Sequence, residues 1–305
     1  MKSNKIDKVK EITKKLEEGL KELFESEQYK KYLNTMSKFH NYSYNNSILI
    51  LLQKPDATMI AGYKSWEKNF KRHVKKGEKG IKILAPTKYK HIEEVILLDP
   101  KTNNPIIDKN GKTKTEKKEI EKTTFMPTTV FDISQTEGEE IPTIGKELTF
   151  DVKEYKSFIN AIEQISLVPI EYEELKKELK GYFSPKEQRI VIQKDMKESQ
   201  TIKTAIHELA HSYLHDKEVK IKGIEKRKTK RSDKEVEAES IAYTICQHFG
   251  IDTSDYSFAY IAGWSSGKEM PELKQSMETI QKASTFIITS LEKQLRLNKL
   301  KLKNL

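Results

Sequence analysis

The sequence is poor in cysteine and has no long apolar run. Cys246 is the one cysteine among 305 residues, which excludes an internal disulfide and is typical of a reducing compartment. The densest apolar patch, residues 48–52, is far shorter than the roughly 20 residues that cross a bilayer. The first residues also lack the apolar segment of a signal peptide. We therefore expect a cytoplasmic protein with no membrane partner, in which Cys246 is a buried core thiol.

Acidic residues are too few to balance the basic ones, with 46 against 56 and a formal net charge of +10. An excess of this kind favours an anionic partner. Residues 64–82 contain eight basic and two acidic side chains, and residues 217–234 contain nine and three. The second segment is predicted to be a flexible loop, with a clamp for a polyanion as the alternative interpretation.

The motif His-Glu-x-x-His occurs at residues 207–211. On an α-helix, residues four apart are rotated by about 40° and separated by about 6 Å. His207 and His211 can therefore reach one Zn²⁺ ion, while Glu208 is placed to act as a general base on a water molecule that the ion activates. An apolar stripe supports the helix, and Ser199 is predicted to be its N-cap. The stripe consists of Ile202, Ile206, Leu209, Ala210 and Tyr213.

A zinc site of this kind needs a third protein ligand. His215 follows His211 by only four residues without an intervening glycine, which does not match the metzincin pattern, so we expect it to lie at the helix end. Glu235 and Glu239 are spaced four apart on a second predicted helix and share one face. We predict Glu235 as the metal ligand and Glu239 as the carboxylate that orients a histidine ring, as in gluzincins. The reverse assignment of the two glutamates stays open.

The order of the predicted elements indicates an α+β chain with two domains, residues 1–138 and 146–305. The first is predicted to contain three helices (5–33, 46–53 and 63–73), three strands (81–84, 95–98 and 125–133) and a mobile insertion at 99–124. Turn-forming residues between 135 and 145 mark the boundary. The second is predicted to contain a helix at 151–165, strands at 168–172, 182–183 and 189–193, the two site helices, and a helical tail from about Pro271.

Basic and aromatic residues alternate in the first predicted domain, and a glycine-flanked basic turn spans residues 74–80. Lysines that neutralise phosphates and aromatic rings that stack on bases are typical of single-stranded nucleic-acid binding. The alternative is that Trp66 and Phe70, four apart on a helix, belong to the core. The candidate DNA-binding residues are Lys64, Trp66, Lys71, Arg72, Lys75, Lys76, Lys79, Tyr42 and Tyr44.

Several motifs occurring in one order resemble the ArdC-type antirestriction proteins over most of residues 40–265. In the first half they are Tyr42-Ser43-Tyr44-Asn45-Asn46, Gly62-Tyr63-x-x-Trp66, the basic turn at 74–80 and the segment 130–138. In the second half they are Gly181-Tyr182-Phe183, the His-Glu-x-x-His motif, the segment 235–242 and the segment 252–257. The insertion, the basic loop and the C-terminal tail are not covered by the resemblance.

The resemblance implies a single-stranded-DNA-binding domain followed by a zincin-like metallopeptidase domain, in a protein of mobile genetic elements that protects DNA entering by conjugation. Three functions remain open at this point. The chain is a zinc peptidase fused to a DNA-binding module, a DNA-masking protein whose metal domain is structural or inactive, or a zinc-dependent regulator or toxin protease without a DNA role. The peptide substrate and the oligomeric state do not follow from the sequence.

Overall fold

The computed structural model describes residues 2–141, 152–176, 178–216, 229–254, 256 and 258–303. Within them the chain forms a mixed α/β structure, which agrees with the predicted class. In chain order the elements are α1 (Lys2–Glu22), α2 (Ser26–Lys38), α3 (Tyr44–Gln53), β1 (Ile60–Gly62), α4 (Tyr63–Phe70), β2 (Arg72–Val74), β3 (Ile81–Ile96), β4 (Thr115–Asp132), β5 (Thr136–Gly138), α5 (Val152–Ile165), β6 (Ile170–Glu173), β7 (Gly181–Ser184), β8 (Arg189–Gln193), α6 (Glu198–His215), α7 (Arg231–His248), α8 (Ile261–Ser265) and α9 (Met270–Lys303).

The strands form three small sheets. In the N-terminal half, β1 and β3 both pair antiparallel with β4, and β2 pairs with β5. In the C-terminal half the strand order is β6–β8–β7, with β6 parallel and β7 antiparallel to β8. The hairpin predicted before the His-Glu-x-x-His helix is confirmed, and β7 is an edge strand of its sheet.

Strands β3 and β4 form an antiparallel ribbon that is much longer than predicted. Ile81 pairs with Val130 at its base, and Ile96 pairs with Thr115 at its far end. The predicted bounds of the strands at 81–84 and 95–98 and of the insertion at 99–124 are therefore wrong. Charged and threonine side chains face solvent on both sides of this ribbon, so the alternation of apolar residues that marks a strand is missing.

The first predicted helix is in fact two helices. Helix α1 ends at Glu22 and α2 begins at Ser26. The adjacent residues Leu23 and Phe24 are both buried in the core, whereas neighbouring residues on a continuous helix point about 100° apart. Similarly, the helix predicted at 63–73 ends at Phe70, because the next residue adopts a left-handed backbone conformation and β2 follows.

One large core joins the two halves of the chain. Side chains from α1, α2 and α3 are buried in the same hydrophobic cluster as those from α5, α6, α7 and α9. Polar contacts follow the same seam: Tyr29 Oη lies 2.8 Å from Ser240 Oγ, and Gln281 Nε2 donates to the carbonyl oxygens of His40 and Tyr42. The predicted division between residues 138 and 146 is thus not a division of the core, and part of that boundary lies outside the described residues.

A second, smaller core lies under the N-terminal sheet. It consists of Phe39, Ile50, Ala57, Ile60, Ile81, Ile83 and Val130. The side chain of Asp132 is buried beside it and accepts hydrogen bonds from the backbone N–H groups of Thr58, Met59 and Ser134. In the part of the chain that the structure describes, no helix is long and apolar enough to span a bilayer.

Candidate metal centre and basic surface

Helix α6 carries the His-Glu-x-x-His motif and is held in place by the predicted apolar stripe, all five residues of which are buried. The helix begins at Glu198, and Lys197 occupies the N-cap position without a side-chain hydrogen bond. The prediction of Ser199 as N-cap is wrong, because Ser199 already lies in the first helical turn. The motif itself lies well inside the helix, so both histidines have regular helical spacing.

Helix α7 brings the glutamates to the same place. Its first turn is fixed by Asp233, which accepts hydrogen bonds from Trp264 Nε1 at 3.0 Å and Lys268 Nζ at 2.6 Å. The apolar side of α7, including Val236 and the thiol of Cys246, is buried. Burial raises the pKa of Cys246 to about 12, which agrees with the predicted core thiol. The opposite side of the helix faces the histidines.

Three potential ligand atoms converge between the two helices. His207 Nε2 lies 3.0 Å from His211 Nε2 and 3.7 Å from Glu235 Oε2, and His211 Nε2 lies 3.6 Å from the same oxygen. Three ligands bound at 2.0–2.1 Å in tetrahedral geometry stand about 3.3–3.4 Å apart, so this triangle has the size that such an ion requires. Two imidazoles and one carboxylate form a donor set that suits Zn²⁺ and other divalent transition metals.

Glu239 lies on the other side of the first histidine. Its Oε2 atom is 3.2 Å from Nδ1 of His207, whereas Glu235 approaches Nε2 of both histidines. A carboxylate at Nδ1 fixes the tautomer that leaves Nε2 free to bind a metal. The two glutamates thus occupy different positions around His207, Glu235 near Nε2 and Glu239 near Nδ1. The His215 side chain lies one turn beyond His211, outside the convergent set.

The charges of the site are strongly coupled. Burial lowers the pKa of His207, but the adjacent carboxylates of Glu235 and Glu239 outweigh burial and raise the pKa to about 10. The adjacent imidazoles of His207 and His211 lower the pKa of Glu235. Burial, with a contribution from the nearby His211, lowers the pKa of His215 to about 3. The converging carboxylates therefore favour positive charge at the position between them, whereas His215 is kept neutral.

Glu208 faces the same cavity from α6 and contacts strand β7. Burial raises the pKa of its carboxyl group, which is hydrogen-bonded to the backbone of Phe183. Strand β7 lies this close because residue 181 is a glycine: a Cβ there would come within 2.6 Å of Thr204 Cγ2 and 2.9 Å of the carbonyl oxygen of Val191. Glycine at this position thus allows the edge strand to lie directly beside the candidate catalytic carboxylate.

Two cavities flank the convergent residues. One, of about 320 Å³, is lined by residues that include His207, Glu208, Glu239, Gly181, Lys203 and Tyr256. The other, of about 630 Å³, is lined by residues that include Glu235, Val236, Tyr260, Trp264 and Lys268. Tyr256 is almost fully buried, and burial raises its pKa, whereas Tyr260 is 44% exposed. Tyr260 is therefore the more accessible of these two tyrosines.

The predicted DNA-binding aromatics are less accessible than their sequence context indicates. Trp66 is fully buried, and its Nε1 donates a hydrogen bond to the carbonyl oxygen of Phe131. Its assignment as a base-stacking residue is therefore wrong, and the alternative interpretation as a core residue is correct. Tyr42 and Tyr44 are half-buried and pack against the two hydrophobic clusters.

The basic residues of this region are divided between structural and exposed positions. Arg72 donates to the carbonyl oxygens of Thr136 and Glu139, and Lys71 forms an ion pair with Glu139. Lys75 Nζ donates to the carbonyl oxygen of Ser134. Lys64, Lys76 and Lys79 are exposed, and none of them forms an ion pair within the part of the chain that the structure describes. Gly77 has a φ of 89°, as the predicted tight turn requires.

Comparison with known proteins bears on this N-terminal region. Residues 5–131 match the family model described as the N-terminal domain of anti-restriction factor ArdC. This part of the chain is similar to the ArdC N-terminal domain. The resemblance to ArdC-type proteins that the sequence motifs indicate is thereby confirmed.

One longer protein and two crystal structures are also similar to this chain. The chain is 31% identical over 318 residues to an uncharacterised protein of Bacillus anthracis, an alignment that covers 95% of this chain and 52% of that protein. The chain thus spans about half the length of this curated relative. The metal-free crystal structure of ArdC from plasmid R388 is 18% identical, with 83% of this chain and 84% of that chain covered and a TM-score of 0.47. The corresponding values for its Mn(II)-bound structure are 16%, 82%, 84% and 0.46.

In the N-terminal region, the most exposed aromatic residues are not the ones that were predicted to bind DNA. Tyr63 is 55% exposed at the start of α4, and Tyr89 and Phe125 are 44% and 59% exposed on the β3–β4 ribbon. For Tyr63, which begins α4, helix periodicity gives no signal of exposure, because residues three apart are neighbours on a helix surface and Trp66 is buried. For Tyr89 and Phe125 periodicity gives no signal either, since both faces of the ribbon are polar.

Proposed function

We propose that this ArdC-like chain is an antirestriction-type protein that binds single-stranded DNA through its N-terminal domain and carries a zinc-dependent peptidase site of the gluzincin type. The observation that carries the proposal is the convergence of His207, His211 and Glu235 beside one cavity that also contains Glu208. A structural zinc site is usually closed by four protein ligands, whereas a catalytic one has three and an open position. The convergent set here has three members among the described residues.

The residues around this set have the roles that peptide hydrolysis requires. A bound Zn²⁺ ion would lower the pKa of water to about 7 and polarise a carbonyl group. The Glu208 carboxylate would accept a proton from the attacking water and deliver it to the leaving amine. Burial raises the pKa of Glu208 toward the range in which a carboxyl group exchanges protons near neutral pH. Glu239 would hold His207 in the tautomer that binds through Nε2.

The strand beside Glu208 favours an extended peptide as the substrate. Strand β7 pairs only with β8, so its other edge has no strand partner in the described part of the chain. The Phe183 backbone is hydrogen-bonded to Glu208, and Gly181 of the same strand lines the cavity, which together support an open edge that faces the cavity. An extended peptide can add to such an edge through main-chain hydrogen bonds, with its carbonyl groups directed toward the convergent histidines.

The most direct experiment replaces Glu208 by Gln. The variant is expected to retain bound metal and DNA binding, but to lose about 10²–10⁴-fold in peptide hydrolysis, because the amide cannot accept a proton. Glu198→Gln serves as a control, because Glu198 is exposed in the first turn of the same helix. Metal content, anisotropy with a labelled oligonucleotide, and cleavage of a mixed peptide library are the three measurements. Absence of stoichiometric metal in the unaltered protein would contradict the proposal.

A second function, DNA masking without catalysis, is favoured by the shared core. Since α2 packs against α7, the metal-bearing helices also support the N-terminal region, and a metal there would stabilise the DNA-binding unit. A restriction-protection assay separates the two functions. If Glu208→Gln protects DNA as well as the unaltered chain while charge reversal of Lys75, Lys76 and Lys79 abolishes protection, masking is correct. Loss of protection in the Glu208 variant supports peptidase action.

A further inference from the structure

The β3–β4 ribbon extends well beyond the sheet that anchors it. Its cross-strand pairs continue from Pro86–Phe125 to Ile96–Thr115, which at about 3.3 Å per residue corresponds to roughly 33 Å. The connecting segment, residues 97–114, adds a tip held by backbone hydrogen bonds and two isolated bridges. We refer to residues 97–118 as the ribbon tip. Most side chains from Thr87 onward are exposed, so the ribbon is not an element of the core.

We refer to residues 86–96 and 119–125 as the shaft of the ribbon. Several lysines of the shaft form ion pairs with glutamates of the shaft. Lys88 forms an ion pair with Glu121, Lys90 with Glu119, and Lys122 with Glu93. Each pair joins the two strands diagonally, because the register places Lys88 opposite Thr123 and Lys90 opposite Glu121. These lysines are therefore poor candidates for contacts with an anionic partner.

The ribbon tip has the opposite character. It contains six exposed lysines, and none of them has an ion-pair partner in the part of the chain that the structure describes; they are Lys101, Lys109, Lys112, Lys114, Lys117 and Lys118. Two of the three acidic residues of the tip stabilise turns instead. Asp99 accepts hydrogen bonds from the backbone N–H groups of residues 101 and 102, and Asp108 accepts them from those of residues 110 and 112. The tip thus has an excess of positive charge at the end of the ribbon, and of its lysines only Lys117 and Lys118 lie opposite carboxylates, those of Glu94 and Glu93.

We propose that the ribbon tip is a second contact for the phosphates of single-stranded DNA, separate from the basic turn at residues 74–80. The proposal rests on the DNA binding proposed above. The ribbon begins at Ile81, directly after the basic turn, so one polyanion can run from the turn along the shaft to the tip. Phe125, which pairs with Pro86, and Tyr89 are both exposed but lie on opposite faces of the ribbon, so a strand that follows one face can stack a base on one of these two rings.

The chemistry of the tip fits a polymer of phosphates better than a small anion. Its lysines are dispersed along two strands and do not converge on one point, and lysine acts as a flexible point charge that needs no fixed geometry. Each phosphate neutralised on a single strand contributes about 0.7 to the slope of log K against log salt concentration. The slope therefore counts the contacts that the tip makes.

The test is a salt titration of binding to a labelled oligothymidine, measured by fluorescence anisotropy. The triple variant Lys109→Gln, Lys112→Gln, Lys114→Gln is expected to bind more weakly at low salt, with a slope lower by about 2. Lys282→Gln, Lys293→Gln, Lys299→Gln removes the same charge from exposed positions on α9 and is expected to leave the slope unchanged. With short oligonucleotides, which reach only the basic turn, the tip variant and the unaltered chain should bind alike.

A shortened ribbon provides an independent check. Lys90 and Glu121 are directly paired, so residues 91–120 can be replaced by Asn-Gly, a two-residue connection typical of tight hairpins. This variant is also expected to bind the oligonucleotide more weakly at low salt, with a lower salt slope.

The proposal would be overturned if all variants had the same salt slope, or if the tip and α9 variants lost the same amount of affinity for the oligonucleotide. It would also be overturned by a loss of binding by the tip variant to phosphatidylserine vesicles alone, which would mark a membrane contact. If the unaltered chain binds no oligonucleotide at low salt, the proposed DNA binding itself fails.

Discussion

The candidate metal centre and the basic N-terminal surface use charged side chains in opposite ways. At the metal centre, two helices direct imidazoles and carboxylates toward one point, and three ligand atoms lie within 4.8 Å of one another. On the basic surface, neighbouring residues point in different directions, and several cations bind backbone carbonyl groups of their own domain. Arg72 and Lys75 are examples, since each donates to the chain around residues 134–139.

This contrast shows what a residue pattern can specify. A metal ion demands a particular donor set at a particular distance, and helical spacing translates directly into that distance. Nucleic-acid binding demands only accessible charge and ring faces, which depend on what the rest of the fold covers. Trp66 and Tyr63 lie on the same short helix, yet one is fully buried and the other is 55% exposed.

The largest expected effect is at the metal centre. His207→Ala is expected to reduce bound zinc from about one equivalent to nearly none, because two protein ligands do not hold a site that needs three. His215→Ala is the matched control: it lies on the same helix, outside the convergent set, and should retain the metal. Elemental analysis after dialysis without chelator gives the answer. Loss of zinc in both variants, or in neither, would contradict the assignment of His207 as a metal ligand and of His215 as a residue outside the ligand set.

The next effect concerns the buried aromatic of the basic region. Trp66→Ala is expected to lower the free energy of unfolding by about 3–5 kcal/mol, because it leaves a cavity and an unpaired carbonyl group at Phe131. Tyr63→Ala, one turn earlier, should change stability by less than about 0.5 kcal/mol but weaken oligonucleotide binding. Urea unfolding and anisotropy distinguish the two. A Trp66 variant with full stability would show that the ring is not a core residue.

A smaller effect is expected for the carboxylate behind the first histidine. Glu239→Gln is expected to weaken metal binding about 10–100-fold without abolishing it, because the amide orients His207 less strongly than a carboxylate. Glu235→Gln should have a much larger effect, since it removes a ligand. Competition with a chelator of known affinity measures both. If the Glu239 variant loses more metal than the Glu235 variant, the two assignments must be exchanged.

The smallest effect is the pH response of the N-terminal sheet. Burial raises the pKa of Asp132, but hydrogen bonds from Ser134, Thr58 and Met59 outweigh it and hold the pKa below the ordinary 3.8. The carboxylate therefore stabilises the fold fully above that value, and this contribution is lost as the pH falls through the lowered pKa. Asp132→Asn should cost about 1 kcal/mol at neutral pH and flatten the acid end of the stability profile. An unchanged profile would contradict this role.

The sequence predicted the metal-site helices well because their signals are local. The apolar stripes of α6 and α7, the spacing of His207 and His211, and the glutamates four apart all refer to one helical repeat. The β3–β4 ribbon was predicted poorly because its strands are stabilised by each other across a separation of up to 49 residues in sequence, from Ile81 to Val130. Its faces carry paired charges instead of alternating apolar residues. Neither the shaft pairs nor the burial of Trp66 follows from local periodicity.

Residue order alone indicated the candidate ligands, the helices that carry them and the similarity of residues 5–131 to the ArdC N-terminal domain. Which glutamate faces both histidine Nε2 atoms, and which lysines are exposed, follows only from the folded chain. The same is true of the core that the first three helices share with α6 and α7. The physical reason is that helical spacing is fixed within a few residues, whereas burial and pairing depend on segments that meet only after the chain has folded.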